Sequence, residues 1–353
     1  TETQLTEHID DYLIGKYVGG IVGYAKQVEG NATEIIENCN TGKGYVVGSE
    51  NVGGIVGHYI STLSLGSNNK CVNKCNVLGE KYVGGIVGVN GGELKNWSNE
   101  GVVIATEKYA GGIAGANSAI LAANVTVGSN VPSTDRKAEI IDCSTNVNTN
   151  SSSGIGSIAT AKQLGANCDY VGGITGYNDG VISTTEEKII SVTAICAGKS
   201  FVGGLVGYNK AVIDTTDADK TTKVENMKLS GGYISGKYFV GGLVGYNAAD
   251  NFFEDNEGLN ASATLVEGYY FVGGIAGANV IAPTQAFSFA PNVANTFGSI
   301  AVYASQQTPT EETGAFMGGV IGYNRLVIND DATETLINSL LIAVTNNDTP
   351  KNF

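Results

Sequence analysis

The stretch Phe201-Val-Gly-Gly-Leu-Val-Gly-Tyr-Asn209 returns unchanged at Phe239–Asn247. Close variants occur seven more times, and most steps between successive Gly-Gly pairs span 27 to 38 residues. The pairs begin at Gly19, Gly53, Gly84, Gly111, Gly172, Gly203, Gly241, Gly273 and Gly318. A period of this size predicts a solenoid, in which one supersecondary unit stacks on the next and buries a shared core.

The composition of the repeat indicates the kind of solenoid. Each unit is rich in Val, Ile, Tyr, Asn and Gly, and the whole chain has 50 Gly but only 5 Pro. Such units favour short strands joined by tight corners, with backbone N–H groups left to bond between coils. We therefore predict an all-β fold: a right-handed parallel β-helix (β-solenoid) of about ten coils, forming one domain over residues 1–353, with the handedness taken from parallel crossover connections.

Two apolar columns flank the glycines. The first is Ile21, Ile55, Ile86, Ile113, Ile174, Leu205, Leu243, Ile275 and Val320, and the second is Val18, Val52, Val83, Ala110, Val171, Val202, Val240, Val272 and Met317. Both are predicted to face the core. Side chains at the glycine positions between them would clash at a corner or a close backbone approach. A phosphate cradle is disfavoured because no basic residue and no strand-to-helix switch follows.

The six cysteines fall mostly in apolar slots of the repeat. One slot holds Cys39, Cys143, Met227 and Trp97, and approximately Cys71, Ile189 and Leu259; a second holds Cys196 with Val46, Val77, Ile104, Ile234 and Val266. These patterns favour buried thiols that behave as small apolar side chains. Cys39 and Cys71 could lie in neighbouring coils at a spacing that permits a disulfide, and the sequence leaves that pairing open.

Two polar columns follow the glycine motif. An Asn column, predicted to form a hydrogen-bonded amide ladder, consists of Asn90, Asn117, Asn178, Asn209, Asn247, Asn279 and Asn324. Just before it stands a tyrosine column with Tyr24, Tyr177, Tyr208, Tyr246 and Tyr323, in which His58, Val89, Ala116 and Ala278 are exceptions. We take Tyr177, Tyr208, Tyr246 and Tyr323 as the candidate ligand-binding residues, a sugar-binding strip; the alternative is that the rings only pack on one another.

Two steps break the period, and non-repeating loops are where binding functions concentrate. Between Gly111 and Gly172 we predict one coil with insertions near 118–137 and 147–163, because Ala138–Cys143 resembles Thr33–Cys39 and no further Gly-Gly pair occurs. A third, apolar insertion is predicted near 281–298. Two interpretations of these segments stay open: they are binding loops, or they are insertions without a binding role.

Charge and residue types exclude several functions. The net charge of −14 argues against nucleic acid and anionic membranes, and no apolar run of 18 residues could insert into a bilayer. With only two histidines, no catalytic residues, metal ligands or cofactor are predicted, and the chain is expected not to be an enzyme. The acidic pairs at 10–11, 186–187, 311–312 and 330–331 are interpreted as solvated turns. Because the chain starts without a basic and apolar leader, any export signal is expected to be removed or to lie outside it.

The motifs Tyr17-Val-Gly-Gly-Ile-Val-Gly23 and Asn38-Cys-Asn-Thr-Gly42 carry a resemblance over nearly the whole chain. They are similar to the GLUG repeat of large bacterial cell-surface proteins, including the repeats that accompany immunoglobulin A peptidases. The resemblance implies a secreted or wall-displayed bacterial protein, at an extracellular or cell-surface location. No His-Glu-x-x-His motif occurs, so protease activity is not carried over.

The hypothesis that follows is an extracellular structural or adhesive module, a stalk or adhesin, with a host glycan or protein as partner. Two alternatives stay open: a self-assembling surface filament subunit and a polysaccharide-active β-helix enzyme. Neither end has an evident capping helix, although solenoid ends normally need a cover. We therefore also expect either end-to-end self-association or flanking domains of a longer chain.

Overall fold

The computed structural model describes residues 14–26, 36–61, 70–123, 138–146, 155–156, 167–183, 190–210, 223–224, 227–249, 260–280, 301–304, 316–318 and 321–325. These residues form short strands and one helix, α1 (Ala119–Ala123). The strands are β1 Lys16–Gly19, β2 Val22–Lys26, β3 Tyr45–Val47, β4 Glu50–Gly53, β5 Val56–Ile60, β6 Val72–Asn73, β7 Asn76–Gly84, β8 Val87–Gly91, β9 Glu93–Lys95, β10 Ser98–Asn99, β11 Val103–Gly111, β12 Ala114–Asn117, β13 Glu139–Ile141, β14 Ser144–Asn146, β15 Ile155–Gly156, β16 Asp169–Gly172, β17 Thr175–Asn178, β18 Val181–Ser183, β19 Ile190–Ala197, β20 Ser200–Gly203, β21 Val206–Asn209, β22 Lys223–Val224, β23 Met227–Ser235, β24 Tyr238–Gly241, β25 Val244–Asn247, β26 Asn260–Gly268, β27 Tyr270–Gly273, β28 Ala276–Val280, β29 Ala301–Ala304, β30 Met317–Gly318 and β31 Ile321–Arg325.

The strands stack into parallel sheets that run along the solenoid. One sheet contains the nine strands that follow the Gly-Gly pairs, in the order β2-β5-β8-β12-β17-β21-β25-β28-β31. A second sheet of 18 strands includes those that precede the pairs, and a third contains β22-β18-β13-β9. Equivalent repeat positions lie side by side, as Val206 and Val244 do. The chain is a parallel β-helix. Its right-handed winding stays a prediction from the crossover preference.

The predicted core columns are confirmed in the inner coils. Ile55, Ile86, Ile113, Ile174, Leu205 and Leu243 are fully buried, as are Val52, Val83, Val171, Val202, Val240 and Val272. The prediction is wrong for Ile21, which is 46% exposed, and for Met317, which is 39% exposed. Both lie in coils that have a described neighbour on one side only.

The glycine pairs are required by backbone contacts. A Cβ placed on Gly84 would lie 1.9 Å from the carbonyl oxygen of Val87, and one on Gly85 would lie 2.2 Å from that of Gly112 in the next coil. Neither backbone atom can move away without breaking the corner or the ladder between coils. The predicted clash at these corners is therefore confirmed.

The 61-residue step forms a single coil, as predicted. Strand β16 pairs directly with β11 of the preceding coil, and β13 lies between β9 and β18 in the third sheet. Most of the predicted insertion at 147–163 lies outside the described residues; within it, Ile155 in β15 pairs with Val103 and Cys196. The insertion at 281–298 lies outside the described residues.

The two predicted cysteine slots are confirmed, but in each slot one position differs from the prediction by one residue. Ser98 pairs with both Val72 and Ser144, which places Cys71, Trp97 and Cys143 at equivalent, buried positions. In the other slot Val77 pairs with Val103 rather than Ile104. Likewise Met227 lies opposite Ile190 rather than Ile189. Loops of unequal length displace the register by one residue, a shift that the slot pattern alone did not resolve.

A ladder of asparagine amides runs through the solenoid interior. Each Nδ2 group donates to the Oδ1 atom of the next coil, at 2.8 Å for Asn90–Asn117, Asn117–Asn178, Asn178–Asn209 and Asn247–Asn279 and at 3.0 Å for Asn209–Asn247. All six side chains are fully buried. The predicted amide ladder, here called the main ladder, is thus confirmed for these coils.

A second, short ladder was not predicted. Thr41 Oγ1 donates to Asn73 Oδ1 at 2.7 Å, and Asn73 Nδ2 donates to Asn99 Oδ1 at 2.8 Å. Thr145 pairs with Asn99 in register, and its hydroxyl is buried with no hydrogen-bond partner among the described residues. The signal was an Asn or Thr two residues after each Cys or Trp of the first slot.

Candidate functional site: two aromatic columns beside helix α1

The tyrosine column lies on the sheet of nine strands, one residue before the main ladder. Tyr177, Tyr208 and Tyr246 occupy consecutive coils with parallel rings, at centroid distances of 5.8 and 5.1 Å. Ala278 separates Tyr246 from Tyr323, which is 37% exposed. Three of the four candidate residues therefore form one continuous surface, and the fourth lies two coils further along.

A second aromatic column, here called the corner column, consists of the aromatic residues that stand two positions before the Gly-Gly pairs of seven consecutive coils, from the pair at Gly84 to the pair at Gly318. Its rings stack from coil to coil at centroid distances of 4.6 to 5.0 Å. The members are Tyr82, Tyr109, Tyr170, Phe201, Phe239, Phe271 and Phe316. All but Phe316 are recorded with a left-handed backbone, at φ values of 53° to 65°. That conformation is unfavourable for bulky residues, so the stacking contacts must offset a steric cost at these six positions.

The corner column and the tyrosine column pack edge to face. Tyr246 meets Phe201 at 5.7 Å and Phe239 at 5.4 Å, with ring planes 80° and 81° apart. Such T-shaped contacts add about 0.5 to 1.5 kcal/mol each beyond area burial. Tyr208 also has Tyr177 on one face and Tyr246 on the other. A ligand at this surface therefore meets ring edges and hydroxyl groups rather than open ring faces.

Burial keeps the phenol groups protonated. It raises the pKa of Tyr109 to about 12, and it is the largest cause of the raised pKa of Tyr208. The pKa of Tyr177 is also raised. Burial is the largest cause, and the nearby negative charge of Asp179 is the next. At neutral pH these hydroxyls are neutral and can each donate and accept a hydrogen bond.

A polar cluster sits at one end of the three consecutive tyrosines. Ser118 Oγ donates to Asp179 Oδ2 at 2.9 Å, and the Tyr177 hydroxyl lies 3.4 Å from the same oxygen. Burial raises the pKa of the Asp179 carboxyl, an effect that the Ser118 bond and the charge of Lys210 partly oppose. The cluster joins the first insertion to the tyrosine column.

Helix α1 occupies the gap in the tyrosine column. Ser118 caps it, since its Oγ accepts the Leu121 amide at 3.0 Å. Val89 and Ala116, the two small exceptions, form an apolar cluster with Ile60 and Ala122. The helix thus fills the space that larger rings would take at those two coils.

His58, the third exception, contacts the backbone of helix α1 through its side chain. Its Nε2 atom lies 3.1 Å from the carbonyl oxygen of Ala122, and its ring stacks on Tyr24 at 5.3 Å. The side chain is fully buried, and Nδ1 has no hydrogen-bond partner among the described residues. Burial lowers the pKa of His58 to about 4, although the bond to Ala122 opposes this shift.

Within the described ranges, no three His, Cys, Asp or Glu side chains converge as metal ligands do. Among the same residues no helix has the length and apolarity to cross a membrane. The acidic pairs at 10–11, 186–187, 311–312 and 330–331 lie outside the described residues.

No family model matches the chain, so the resemblance to the GLUG repeat stays a prediction. No curated protein matches it either. One solved structure that aligns with it is a Bacteroides ovatus protein described as a "putative immunoglobulin A1 protease", with 15% identity, 99% of this chain and 88% of the other covered, and a TM-score of 0.38. A likeness this distant carries no functional argument.

Proposed function

We propose that the chain is an extracellular structural and adhesive module of a bacterial surface protein. The main ladder and the corner column support its structural role, because each passes through consecutive coils and reinforces them along the solenoid axis. Nine strands in one sheet, spaced by about 4.8 Å, give a stiff body roughly 40 Å long. In this role the chain has no catalytic activity.

The adhesive role rests on the tyrosine column. Tyr177, Tyr208 and Tyr246 present hydroxyls along a pre-organised surface, which lowers the entropy cost of binding. We propose a host glycan or protein as the partner, recognised by hydrogen bonds to these hydroxyls, with the insertion at 118–137 contributing beside them.

A glycan and protein array probed with the whole chain tests this role. The double variant Tyr208→Phe with Tyr246→Phe keeps the ring packing but removes two hydroxyls, and we expect it to lose at least tenfold in affinity. Tyr45→Phe, at a tyrosine that is 44% exposed on β3, is the matched control and should bind normally. Binding unchanged in the double variant and after deletion of 118–137 would reject the adhesive role.

Two further measurements address the rest of the proposal. If the chain is a mechanical spacer, pulling single molecules should show a lower unfolding force for Asn209→Ala than for the unmodified chain. Release of reducing ends from acidic polysaccharides would instead support the enzyme alternative and contradict the non-catalytic assignment.

A further inference from the structure

Cys39 and Cys71 lie on adjacent rungs of the solenoid. Asn40 and Val72 form a parallel bridge, so the residues just before them are also neighbours and point to the same face. Parallel neighbours stand about 4.8 Å apart, within the 4.4 to 6.8 Å range of Cα separations that a disulfide requires. The register therefore meets the geometric condition for a bond between the two coils.

A hydrogen bond already joins the two residues. The Cys39 amide donates to Cys71 Sγ at 3.3 Å. The Cys39 thiol also lies 3.4 Å from the carbonyl oxygen of Glu37. The Cys71 sulfur thus already lies against the backbone of Cys39.

The other cysteines are less well placed to form a disulfide. Trp97 stands between Cys71 and Cys143 in the register, and Cys168 and Cys196 are fully buried in other coils. Cys75 is the nearest competitor, but its thiol lies 3.0 Å from the carbonyl oxygen of Gly42, several residues past Cys39. Among the described cysteines, Cys39 and Cys71 are therefore the pair that lies in register on adjacent coils and is joined by a hydrogen bond to a thiol.

We propose that Cys39 and Cys71 form a disulfide that locks the first described coil to the second when the protein meets a small-molecule disulfide such as oxidised glutathione. Cys39 is partly exposed and Cys71 is fully buried, so the oxidant reaches Cys39 first. This inference does not depend on the proposed function.

The reaction is two thiol–disulfide exchanges. The Cys39 thiolate attacks one glutathione sulfur, so the glutathione S–S bond breaks and one glutathione thiolate leaves. The Cys71 thiolate then attacks Cys39 Sγ, forms the bond between coils and releases the second glutathione thiolate. The two protons lost by the cysteines end on the two glutathione thiols, so both cysteines are oxidised and one glutathione disulfide is reduced.

The second exchange should set the rate. Burial raises the pKa of the Cys71 thiol to about 12, so its thiolate is scarce at neutral pH. Between pH 7 and 9 the rate of bond formation should therefore rise by about tenfold per pH unit.

Tryptic mapping of the intact chain tests the proposal. The native protein is held with oxidised glutathione, its remaining thiols are alkylated in denaturant, and it is digested without reduction. Cleavage after Lys26, Lys43, Lys70, Lys74 and Lys81 places Cys39, Cys71 and Cys75 in the separate peptides 27–43, 71–74 and 75–81. We expect a species that joins 27–43 to 71–74 and disappears on reduction. Linkage of 27–43 to 75–81, or glutathione adducts and alkylation alone, would overturn the proposal.

Two variants separate the bond from general effects of oxidation. Cys75→Ser should keep the linked species and the rise in urea midpoint on oxidation. Cys39→Ser, at the partly exposed partner, should fold and lose both. An equal rise in urea midpoint for Cys39→Ser and the unmodified chain would contradict a stabilising lock between coils.

Discussion

The side-chain amide of Asn117 donates a hydrogen bond to the Oδ1 atom of Asn178 at 2.8 Å, although 61 residues separate them in the chain. The main ladder therefore continues across the longest step that the structure describes. Residues inserted between the two coils leave the spacing of the ladder unchanged. Order along the solenoid axis is set by register between coils rather than by distance along the chain.

Because Asn209 belongs to the main ladder, we expect Asn209→Ala to lower the free energy of unfolding strongly. Asn209 is fully buried, accepts from Asn178 and donates to Asn247, so truncation leaves one donor and one acceptor without this partner. We expect a loss of about 2 to 4 kcal/mol in the free energy of unfolding, measured by urea denaturation. Asn40→Ala, at an exposed position, should change stability by less than about 0.5 kcal/mol. Equal losses for the two variants would contradict the ladder's contribution.

The core column predicts that Ile174→Asp unfolds the chain locally. Ile174 is fully buried between the coils of Ile113 and Leu205, so an aspartate there would be an unpaired charge in an apolar stack. The cost should be several kcal/mol, visible as a lower melting temperature. Ile120→Asp is the matched control because Ile120 is 51% exposed on α1. Unchanged melting of Ile174→Asp would refute the inward assignment.

The corner glycines predict that Gly84→Ala is strongly destabilising. Its Cβ would lie 1.9 Å from the Val87 carbonyl oxygen, a distance that cannot be relieved by side-chain movement. We expect a loss of more than about 3 kcal/mol, or failure to fold. Gly42→Ala, where a Cβ meets nothing within 4 Å, should be neutral in the same circular dichroism melt. Similar melts for both variants would show that the corner tolerates a side chain.

We expect the stability of the chain to depend on pH through His58, whose ring contacts the backbone of helix α1. Its folded pKa of about 4 lies below the ordinary value of 6.5, so folding favours the neutral ring. The contribution is complete above pH 6.5 and is lost as the pH falls from 6.5 to 4, by about 3 kcal/mol at most. His58→Gln keeps a donor for the Ala122 carbonyl but does not titrate. The difference in unfolding free energy between the unmodified chain and this variant should shrink or reverse over that window; a constant difference would be inconsistent with a buried neutral His58.

Several features of the site could not be predicted from one sequence. The tyrosine column was visible because its spacing repeats. The corner column also repeats, but its assembly depends on left-handed backbone at residues such as Tyr109 and Phe201, which the pattern does not display. Helix α1 had a local signal, Ser118 followed by Ala-Ile-Leu-Ala-Ala, yet its position over Val89 and Ala116 depends on contacts between coils.

The sequence by itself determined the repeat, its apolar columns, the glycine corners and the asparagine positions, because each recurs with a period and a residue type that only a stacked β-coil satisfies. The tertiary structure alone decided which rung each strand joins, as for Ile155 beside Cys196, and which surfaces the insertions cover. It also placed the Cys71 thiol against the amide of Cys39, 32 residues away in the chain. The physical reason is that coil periodicity is local, whereas register between coils is set by hydrogen bonds and packing that loops of any length can connect.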